Sequence, residues 1–443
     1  MAVSSTRRFK PDSAASPVLN LFLRGNHIQP LTIDEALIQL ASLTDSTAVS
    51  TTRIQTVPVE QSFGRVLAKN ITSPVPVPGF ANSAMDGYAV RFADLDTSSD
   101  TVLKIQGESL AGHPFDAALQ AHHAVRIFTG AALPPKADTI VIQENTSPGS
   151  TDSTVIIHST GAKGSYVRPI GHDVAQDSLL FSKGTRMRAF EIASATTSGL
   201  SELPVFEPLR IGVFATGDEL KTLGTNLQAG EIYESNRVAI RSLLRDMPLE
   251  ITDLGILPDE LGATRQALAL ASNDQDALIT SGGVSVGDAD FVKDAISELG
   301  GIDFWRLNLR PGKPFAFGHL LKPQSDAKCL IFGLPGNPVS TIVTLLLLVK
   351  PTLWRIAGHE TYQPPVIRVP LAGSVSHSVG RHEYQRGRLE QTDTGAVVKT
   401  TSDQSSNRLQ SFAGANCLFL VPGDVEHLAT GELVEVLPFE GLI

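Results

Sequence analysis

The chain has 443 residues, a formal net charge of −10 and 42% hydrophobic residues. This length predicts about three or four domains, each able to bury a core of its own. The composition excludes a disordered chain, and the acidic balance argues against nucleic acid as a partner. An anionic ligand would therefore have to be held by local cations and backbone N–H groups.

The cysteine content and the apolar runs indicate where the protein resides. Cys329 and Cys417 are the two cysteines, too few for a disulfide framework or a cysteine-ligated metal site, so we expect a cytoplasmic protein. The twin arginines at positions 7 and 8 are not followed by the apolar stretch of an export signal. The longest apolar run, 342–349, is much shorter than the roughly 20 residues of a membrane helix. We therefore expect no membrane insertion.

The first half of the chain predicts a helix followed by a small β-rich domain. Residues 1–27 are polar and without period, and are predicted to form a tail. Thr32 and Glu35 are spaced as a capping box, and the apolar positions of 32–43 share one helical face. From about 71 to 168, short Val- and Ile-containing segments are broken by Pro and Gly, which is typical of strands at 101–106, 124–128, 139–143 and 154–158.

The second half predicts an α/β domain and then a small β domain. Between 210 and 358, apolar strand segments alternate with helical segments, which indicates a parallel sheet in a doubly wound α/β domain. The last eighty or so residues return to strand patterns, which predicts a small C-terminal sandwich or barrel. Pro364 and Pro365 mark a predicted hinge before it.

Five loops follow the predicted strands of the α/β domain, at 216–219, 257–259, 281–290, 310–314 and 333–338. Ligands of open parallel sheets bind where such loops converge. The loop at 281–290 suits close approach to a phosphate, although glycine there also fits a tight turn. Arg310 and Lys313 flank a Pro-Gly turn and could clamp an oxyanion or remain on the surface. The segment 333–338 could be only a rigid helix start.

Acidic residues also occur at these strand ends. Each one alone fits a helix cap or a solvated side chain. Together they would repel one another unless a divalent cation or a cationic ligand group lay among them. The acids concerned are Asp218, Glu219, Asp259, Asp288 and Asp290.

Three loops outside the α/β domain, at 82–89, 129–131 and 168–173, carry candidate polar residues but could merely turn the chain. No HExxH spacing and no nucleophile elbow is present in the sequence. Neither zinc held by histidine nor a Ser-His-Asp hydrolase is indicated.

Together, the motifs at 82–89, 129–131, 217–220, 281–285, 311–318 and 334–338 resemble those of the molybdopterin molybdenumtransferase family, of the MoeA and gephyrin E-domain type. The resemblance covers about residues 30–443. It implies a split linker and dimerisation domain at 28–73 and 171–206, and an inserted β-rich domain at 74–170. An α/β molybdopterin-binding domain of Mog-like fold would follow at 207–360, with a C-terminal β domain at 361–443.

The resemblance also implies an activity. Family members insert molybdenum from molybdate into adenylylated molybdopterin and release AMP, in a step that needs Mg²⁺. The family site lies between two subunits of a homodimer. One subunit contributes its α/β domain, and the other contributes the domains that precede the α/β domain in sequence. The molybdopterin adenylyltransferase of the preceding step is a candidate partner.

Site residues are carried over by position. Asp259 and Asp290 are assigned to the metal, because Mg²⁺ prefers hard oxygen ligands, and Arg310 and Lys313 to the oxyanion or terminal phosphate. The catalytic candidates are Asp86, Thr129, Asp173, Glu219, Asp259 and Asp290. The substrate-binding candidates are Ser281, Gly282, Gly283, Ser285, Arg310, Lys313, Pro335, Pro338 and Ser406.

The sequence departs from the family pattern at four places. Arg310 stands where lysine is usual, His172 where glutamate is common and Ala81 where aspartate is common, and residues 405–407 replace a Gly-Ser-His run. Guanidinium keeps the charge at 310 but grips an oxyanion with a different geometry. Two other functions remain open at this point: a scaffold that binds receptor loops, and adenylyl transfer from ATP to molybdopterin.

Overall fold

The computed structural model describes residues 30–46, 53–283, 291–322, 327–359, 361–401 and 403–442. The predicted tail at 1–27 lies outside these ranges. The chain divides into two units: Thr52–Glu207, and Met1–Thr51 together with Pro208–Ile443. The predicted class, an α/β domain combined with β-rich domains, is confirmed.

The first helix, α1, spans Ile33–Ser46. The backbone N–H of Thr32 donates to Glu35 Oε2 at 2.8 Å and the N–H of Glu35 donates to Thr32 Oγ1 at 3.3 Å, which confirms the predicted capping box. α1 belongs to the unit that contains residues 208–443, whereas the predicted split domain at 28–73 and 171–206 groups it with the other unit.

The unit Thr52–Glu207 is built almost entirely from short strands. Its principal sheet has six strands in the order β7-β4-β6-β5-β9-β8, and apolar side chains are buried on both faces of it. A separate core joins the beginning of the unit to its end, with Leu67 packed near Met187 and Val205. Its elements are β1 Ile54–Pro58, β2 Ile71–Thr72, β3 Asn82–Ser83, β4 Gly87–Val90, β5 Thr101–Ser109, β6 His123–Ile127, β7 Thr139–Ile142, β8 Thr146–Pro148, β9 Thr154–Ile157, β10 Val167–Arg168, β11 Leu179–Phe181, α2 Ala189–Thr197 and β12 Glu202–Phe206.

Gly87 begins β4 and leaves no room for a side chain. A Cβ at this position would lie 2.0 Å from Val141 O and 2.9 Å from Ile142 Cα on the adjacent strand. We expect Gly87→Ala to destabilise this unit by about 3 kcal/mol, because backbone atoms of a paired strand cannot move aside. Thermal unfolding measures the effect. Gly79→Ala is the matched control, since its Cβ would meet no atom closer than Pro76 O at 3.8 Å; equal melting temperatures for the two variants would contradict the prediction.

The larger unit contains the predicted α/β domain, with a six-stranded sheet in the order β16-β13-β17-β21-β20-β18. β13 and β17 are buried along their whole length except at Arg210, as expected for central strands covered on both faces. The elements are β13 Leu209–Thr216, β14 Leu220–Lys221, β15 Ile232–Tyr233, α3 Asn236–Leu243, β16 Leu249–Leu257, α4 Leu261–Asp274, β17 Ala277–Ser281, α5 Phe291–Leu299, β18 Gly300–Arg306, β19 Leu309–Arg310, β20 Pro314–Leu321, β21 Lys328–Leu334 and α6 Pro338–Ile356.

Two details of this domain differ from the prediction. The sheet is not wholly parallel, because β20, for which the sequence predicted no strand, runs antiparallel to both β21 and β18. The last helix of this domain, which the sequence predicts over 339–349, extends from Pro338 to Ile356 and passes through a π-helical turn at Leu345–Val349. Pro351 explains the turn, since it has no N–H to donate and its ring clashes with the carbonyl four residues earlier.

α6 is long and apolar enough to cross a membrane, with a mean hydropathy of 1.5, but 94% of that window is buried inside the protein. Burial of this kind is the behaviour of a core helix.

The C-terminal strands form a second sheet in the order β19-β24-β26-β28-β22, with β25 paired to β24. The strand segments that the sequence predicts here, at 366–371, 384–389, 397–400, 418–421 and 433–437, are all present. β19 comes from the chain before β20, so the two sheets are linked at Leu309 and Arg310. The elements are β22 Ile367–Pro370, β23 Val375–Ser376, β24 His382–Thr392, β25 Gly395–Thr400, β26 Cys417–Val421, β27 His427–Leu428, β28 Leu433–Pro438 and α7 Phe439–Leu442.

Candidate functional site

The carboxyl ends of four strands meet at one edge of the α/β sheet. Thr216 of β13 pairs with Leu257 of β16, and Ser281 of β17 pairs with Leu334 of β21. Because Ala215 in turn pairs with Ser281, all four strands end at nearly the same level. The loops that follow them therefore begin at the same edge of the sheet, as predicted from the sequence.

A cavity of about 670 Å³ opens at this edge. It brings together six of the predicted substrate-binding residues, namely Gly282, Gly283, Arg310, Lys313, Pro335 and Ser406. Its other lining residues are Pro311, Gly312, Pro314, Gly336, Asn337, Ser340, Arg381, Gln404, Ser405 and Asn407. The predicted Pro338 is the first residue of α6, immediately after the lining residue Asn337.

The cavity is positively charged. Arg310, Lys313 and Arg381 line it, and no Asp or Glu does so among the residues that the structure describes. Arg310 Nη1 lies 3.8 Å from Glu383 Oε2. Within the described ranges, Lys313 and Arg381 have no acidic group within ion-pair distance. In a chain of net charge −10, this concentration of cations favours an anionic ligand.

Two glycines bring the backbone close to the cavity. Gly282 and Gly283 have φ values of +90° and +65°, in the left-handed region that disfavours other residues. A Cβ on Gly282 would lie 2.8 Å from Thr216 O, and one on Gly283 would lie 2.6 Å from Val292 Cγ2. Only glycine fits both positions, and this leaves the backbone exposed to a ligand.

Asn236 joins two of the converging loops. Its Nδ2 donates to Ser281 Oγ at 2.6 Å and to Gly336 O at 2.7 Å. The buried Ser281 hydroxyl therefore takes part in a structural hydrogen bond between the two loops. Asn236 fixes the distance between the β17 and β21 loops.

The C-terminal domain forms another part of the cavity wall. Arg386 is fully buried, and its guanidinium donates to Asp403 O at 3.2 Å, Ser405 O at 3.4 Å and Ser411 Oγ at 3.0 Å. Burial lowers the pKa of Arg386 to about 10. The Ser406 carbonyl accepts from Val339 N at 3.3 Å, which attaches this loop to the start of α6. The loop is thus held in place from both sides.

The side chain and backbone N–H of Ser405, together with Arg408, lower the pKa of Asp403 to about 2. The carboxylate of Asp403 therefore stays ionised at any pH above its folded pKa and caps the loop through the Ser405 N–H at 2.8 Å. This capping contribution is present above the ordinary value of 3.8 and is lost as the pH falls towards 2.

Three of the predicted acids of the α/β domain lie within the described ranges, and these three, Asp218, Glu219 and Asp259, are not among the cavity's lining residues. Glu219 follows β13, is exposed, and folds back so that a Cβ on Gly217 would lie 2.6 Å from its Oε2. Asp259 is exposed two residues after the end of β16. Asp290 and Ser285 lie outside the described residues. Within the described ranges, no cluster of three His, Cys, Asp or Glu side chains could hold a metal.

In the other unit, the structure joins two of the predicted catalytic residues. The backbone N–H and the hydroxyl of Thr129 each donate to Asp86 Oδ1 at 2.8 Å. These two bonds, the backbone one first, lower the pKa of Asp86. Asp173 is exposed on a separate loop, where its N–H donates to Val77 O at 2.9 Å.

Family models match this chain in three consecutive parts. Residues 31–199 match the "MoeA N-terminal region (domain I and II)", residues 212–355 the "Probable molybdopterin binding domain", and residues 368–439 the "MoeA C-terminal region (domain IV)". A molybdopterin molybdenumtransferase of Haemophilus influenzae is 36% identical over 387 residues, which is 87% of this chain and 94% of that protein. The chain belongs to the molybdopterin molybdenumtransferase family. The family resemblance seen in the sequence is confirmed.

Two other members of the molybdopterin molybdenumtransferase family show how much of the chain is shared. The molybdopterin molybdenumtransferase of a Nostoc species is 34% identical over 84% of this chain and 86% of its own length. A crystal structure of a molybdopterin biosynthesis MoeA protein from Pyrococcus horikoshii is 30% identical and superposes with a TM-score of 0.73, covering 93% of this chain and all of that one.

Sequence reasoning missed three residues that shape the cavity of this family member. Asn236 was assigned no role from the sequence, although an Asn before a predicted helix is a common capping residue. Arg381 and Arg386 lie in the β-rich C-terminal domain, far in sequence from the other motifs. β24 has the sequence HEYQRGRLEQT, so an arginine in this mostly polar strand gives no local signal of a role in the cavity.

Proposed function

We propose that this protein transfers molybdenum from molybdate to adenylylated molybdopterin and releases AMP. The observation that carries the proposal is the cavity with three cations and no acid among its described lining residues. Molybdate and the phosphates of the adenylylated pterin are anions, and Arg and Lys beside exposed backbone N–H groups are their usual ligands in proteins. Its membership of the molybdopterin molybdenumtransferase family supports the same reaction.

We also propose that the reaction depends on Mg²⁺. Mg²⁺ needs only one or two carboxylates and takes its other ligands from water and substrate phosphates. Asp259, exposed at the carboxyl edge of the sheet, suits that role, and Asp290 is assigned with it from the sequence. When bound, the metal would neutralise charge on the phosphates. Lys313, Arg310 and Arg381 would orient the anionic groups of the substrate.

A homodimer is part of the proposal. Around Asp86, the unit Thr52–Glu207 exposes several large apolar side chains, namely Phe80 at 52%, Met85 at 39%, Tyr166 at 43% and Ile170 at 59%. Exposed apolar patches of this kind are typical of interaction surfaces. We propose that Asp86, Thr129 and Asp173 of one subunit complete the cavity of the other, in a cytoplasmic enzyme. The upstream adenylyltransferase is proposed as the partner that supplies the substrate.

The test supplies the purified protein with adenylylated molybdopterin and follows AMP by chromatography. We expect AMP to appear with molybdate and Mg²⁺ together, and to fall to background when EDTA removes the metal. Transfer of the product to a molybdenum-free apoenzyme should restore that enzyme's activity. Absence of AMP under every condition would refute the proposal. Pyrophosphate formed from ATP and molybdopterin would instead indicate the preceding adenylyl transfer.

A further inference from the structure

A buried acid lies directly behind the cavity. The side chain of Glu383 is 4% exposed, and its strand β24 pairs with β19 so that Glu383 and Arg310 are opposite each other. Glu383 Oε2 lies 3.8 Å from Arg310 Nη1 and 3.5 Å from His377 Nδ1. Among the described residues this oxygen has no hydrogen-bond partner. A buried carboxylate needs compensating charge, and the Arg310 guanidinium lies close enough to provide it.

His377 orients this carboxylate. Its side chain is 2% exposed, and its Nε2 contacts the carbonyl oxygen of Val425. An Nε2–H donated to that carbonyl fixes the ring, so that Nδ1 faces Glu383. The contact is attractive when His377 is protonated, and the pair is then neutral overall.

Arg310 stands between two cavities. It lines the cationic cavity and also a second one of about 840 Å³, to which Glu383 and His377 contribute. The Arg310 side chain is 49% exposed. A long side chain that is free to move loses rotamer entropy when a ligand orders it. A partner that orders it beforehand removes that cost from ligand binding.

We propose that Glu383 is a positioning residue, which holds the Arg310 guanidinium at the cationic cavity ready for an oxyanion, and that His377 positions Glu383. This inference rests on the proposed function. The carboxylate would also repel the oxyanion. That repulsion is the smaller effect, because Arg310 lines the cationic cavity and Glu383 does not, so an oxyanion there meets the guanidinium rather than the carboxylate.

The test is a double-mutant cycle on molybdate affinity, measured by calorimetry with molybdate alone. We expect Glu383→Gln to weaken binding about fivefold in the wild-type background, as for loss of a partly exposed ion pair. In an Arg310→Gln background, the same change should have no effect, because there is no guanidinium left to position. A role for Glu383 in stability alone would give equal changes in both backgrounds.

Controls separate the possible outcomes. Asp276→Asn removes another buried carboxylate paired with an arginine, Arg210, at the opposite end of the sheet, and should leave molybdate affinity unchanged. If Glu383→Gln fails to fold, His377→Asn tests the same link, with about twofold weaker binding expected only when Arg310 is present. Tighter binding by either variant, or equal losses in both backgrounds, would overturn the inference. Failure of the wild-type protein to bind molybdate would instead count against the proposed function.

Discussion

Replacing Lys313 with alanine is expected to lower molybdenum transfer by about a hundredfold to a thousandfold, the usual cost of removing a group that stabilises developing negative charge. Lys313 is exposed in the cationic cavity, and no acid among the described residues neutralises it. Its ammonium is therefore available to an oxyanion or phosphate. Steady-state release of AMP and transfer of the product to an apoenzyme measure the effect.

The matched control is Lys399→Ala, which removes an exposed lysine of β25 outside the cavity. Its activity should stay within about twofold of wild type, because an exposed charge far from the site contributes little. Both variants should melt at nearly the wild-type temperature. Lys313→Arg keeps the charge with another geometry and should recover part of the activity. Full activity of Lys313→Ala would remove the main support for the proposed function.

Asp86→Asn is expected to lower turnover about a thousandfold without unfolding the protein, as for loss of a catalytic carboxylate. Asp86 Oδ1 already accepts both bonds from Thr129. Its Oδ2 therefore remains for substrate or metal. Because the pKa of Asp86 is lowered, the carboxylate is ionised throughout the neutral range. Its charge is lost only as the pH falls below the ordinary value of 3.8 and through the lowered pKa. The activity of the wild type should therefore show no acidic decline from Asp86 between about pH 5 and 8.

A second variant, Thr129→Val, tests how much the function of Asp86 depends on the Thr129 hydroxyl. The variant removes the hydroxyl donor but keeps the backbone N–H bond to Asp86, so a loss of about tenfold is expected, much smaller than that of Asp86→Asn. Circular dichroism and thermal unfolding report whether either variant is misfolded. Equal and small losses for both would show that Asp86 serves only to shape its loop.

A mixing experiment tests whether Asp86 and Lys313 act across a dimer. Heterodimers of the Asp86→Asn and Lys313→Ala chains would have one site with both defects and one intact site. Random exchange of subunits should then recover about a quarter of the wild-type activity, since half of the dimers are mixed and each has one working site. If both residues belonged to a site within a single chain, mixing would restore nothing.

The sequence by itself determined the local elements of this protein. The capping box of Thr32 and Glu35, the mainly apolar central strands of the α/β sheet and the proline at the start of α6 can each be recognised from near neighbours in the sequence. Their predicted positions agree with the structure to within a few residues. The glycines at 282 and 283 were likewise readable as a place where the backbone must approach a ligand or turn tightly.

Only the tertiary structure decided which of these loops share a cavity. Sequence placed the acids and the cations at one rim, because all follow strands of the same sheet. In the described residues, the cations line the cavity while Glu219 and Asp259 are not among its lining residues. The side chain of Glu219 turns back over Gly217, a conformation that no periodicity records.

Apart from Ser406, the contribution of the C-terminal domain to the cavity was not predicted from the sequence. Arg381, Arg386 and Glu383 reach the cavity region because β24 pairs with the two-residue strand β19, more than seventy positions earlier in sequence. Such pairing depends on packing between distant segments rather than on local propensity. The local elements and the family could therefore be predicted from the sequence. Which residues meet at Arg310 depends on long-range strand pairing, and only the tertiary structure shows it.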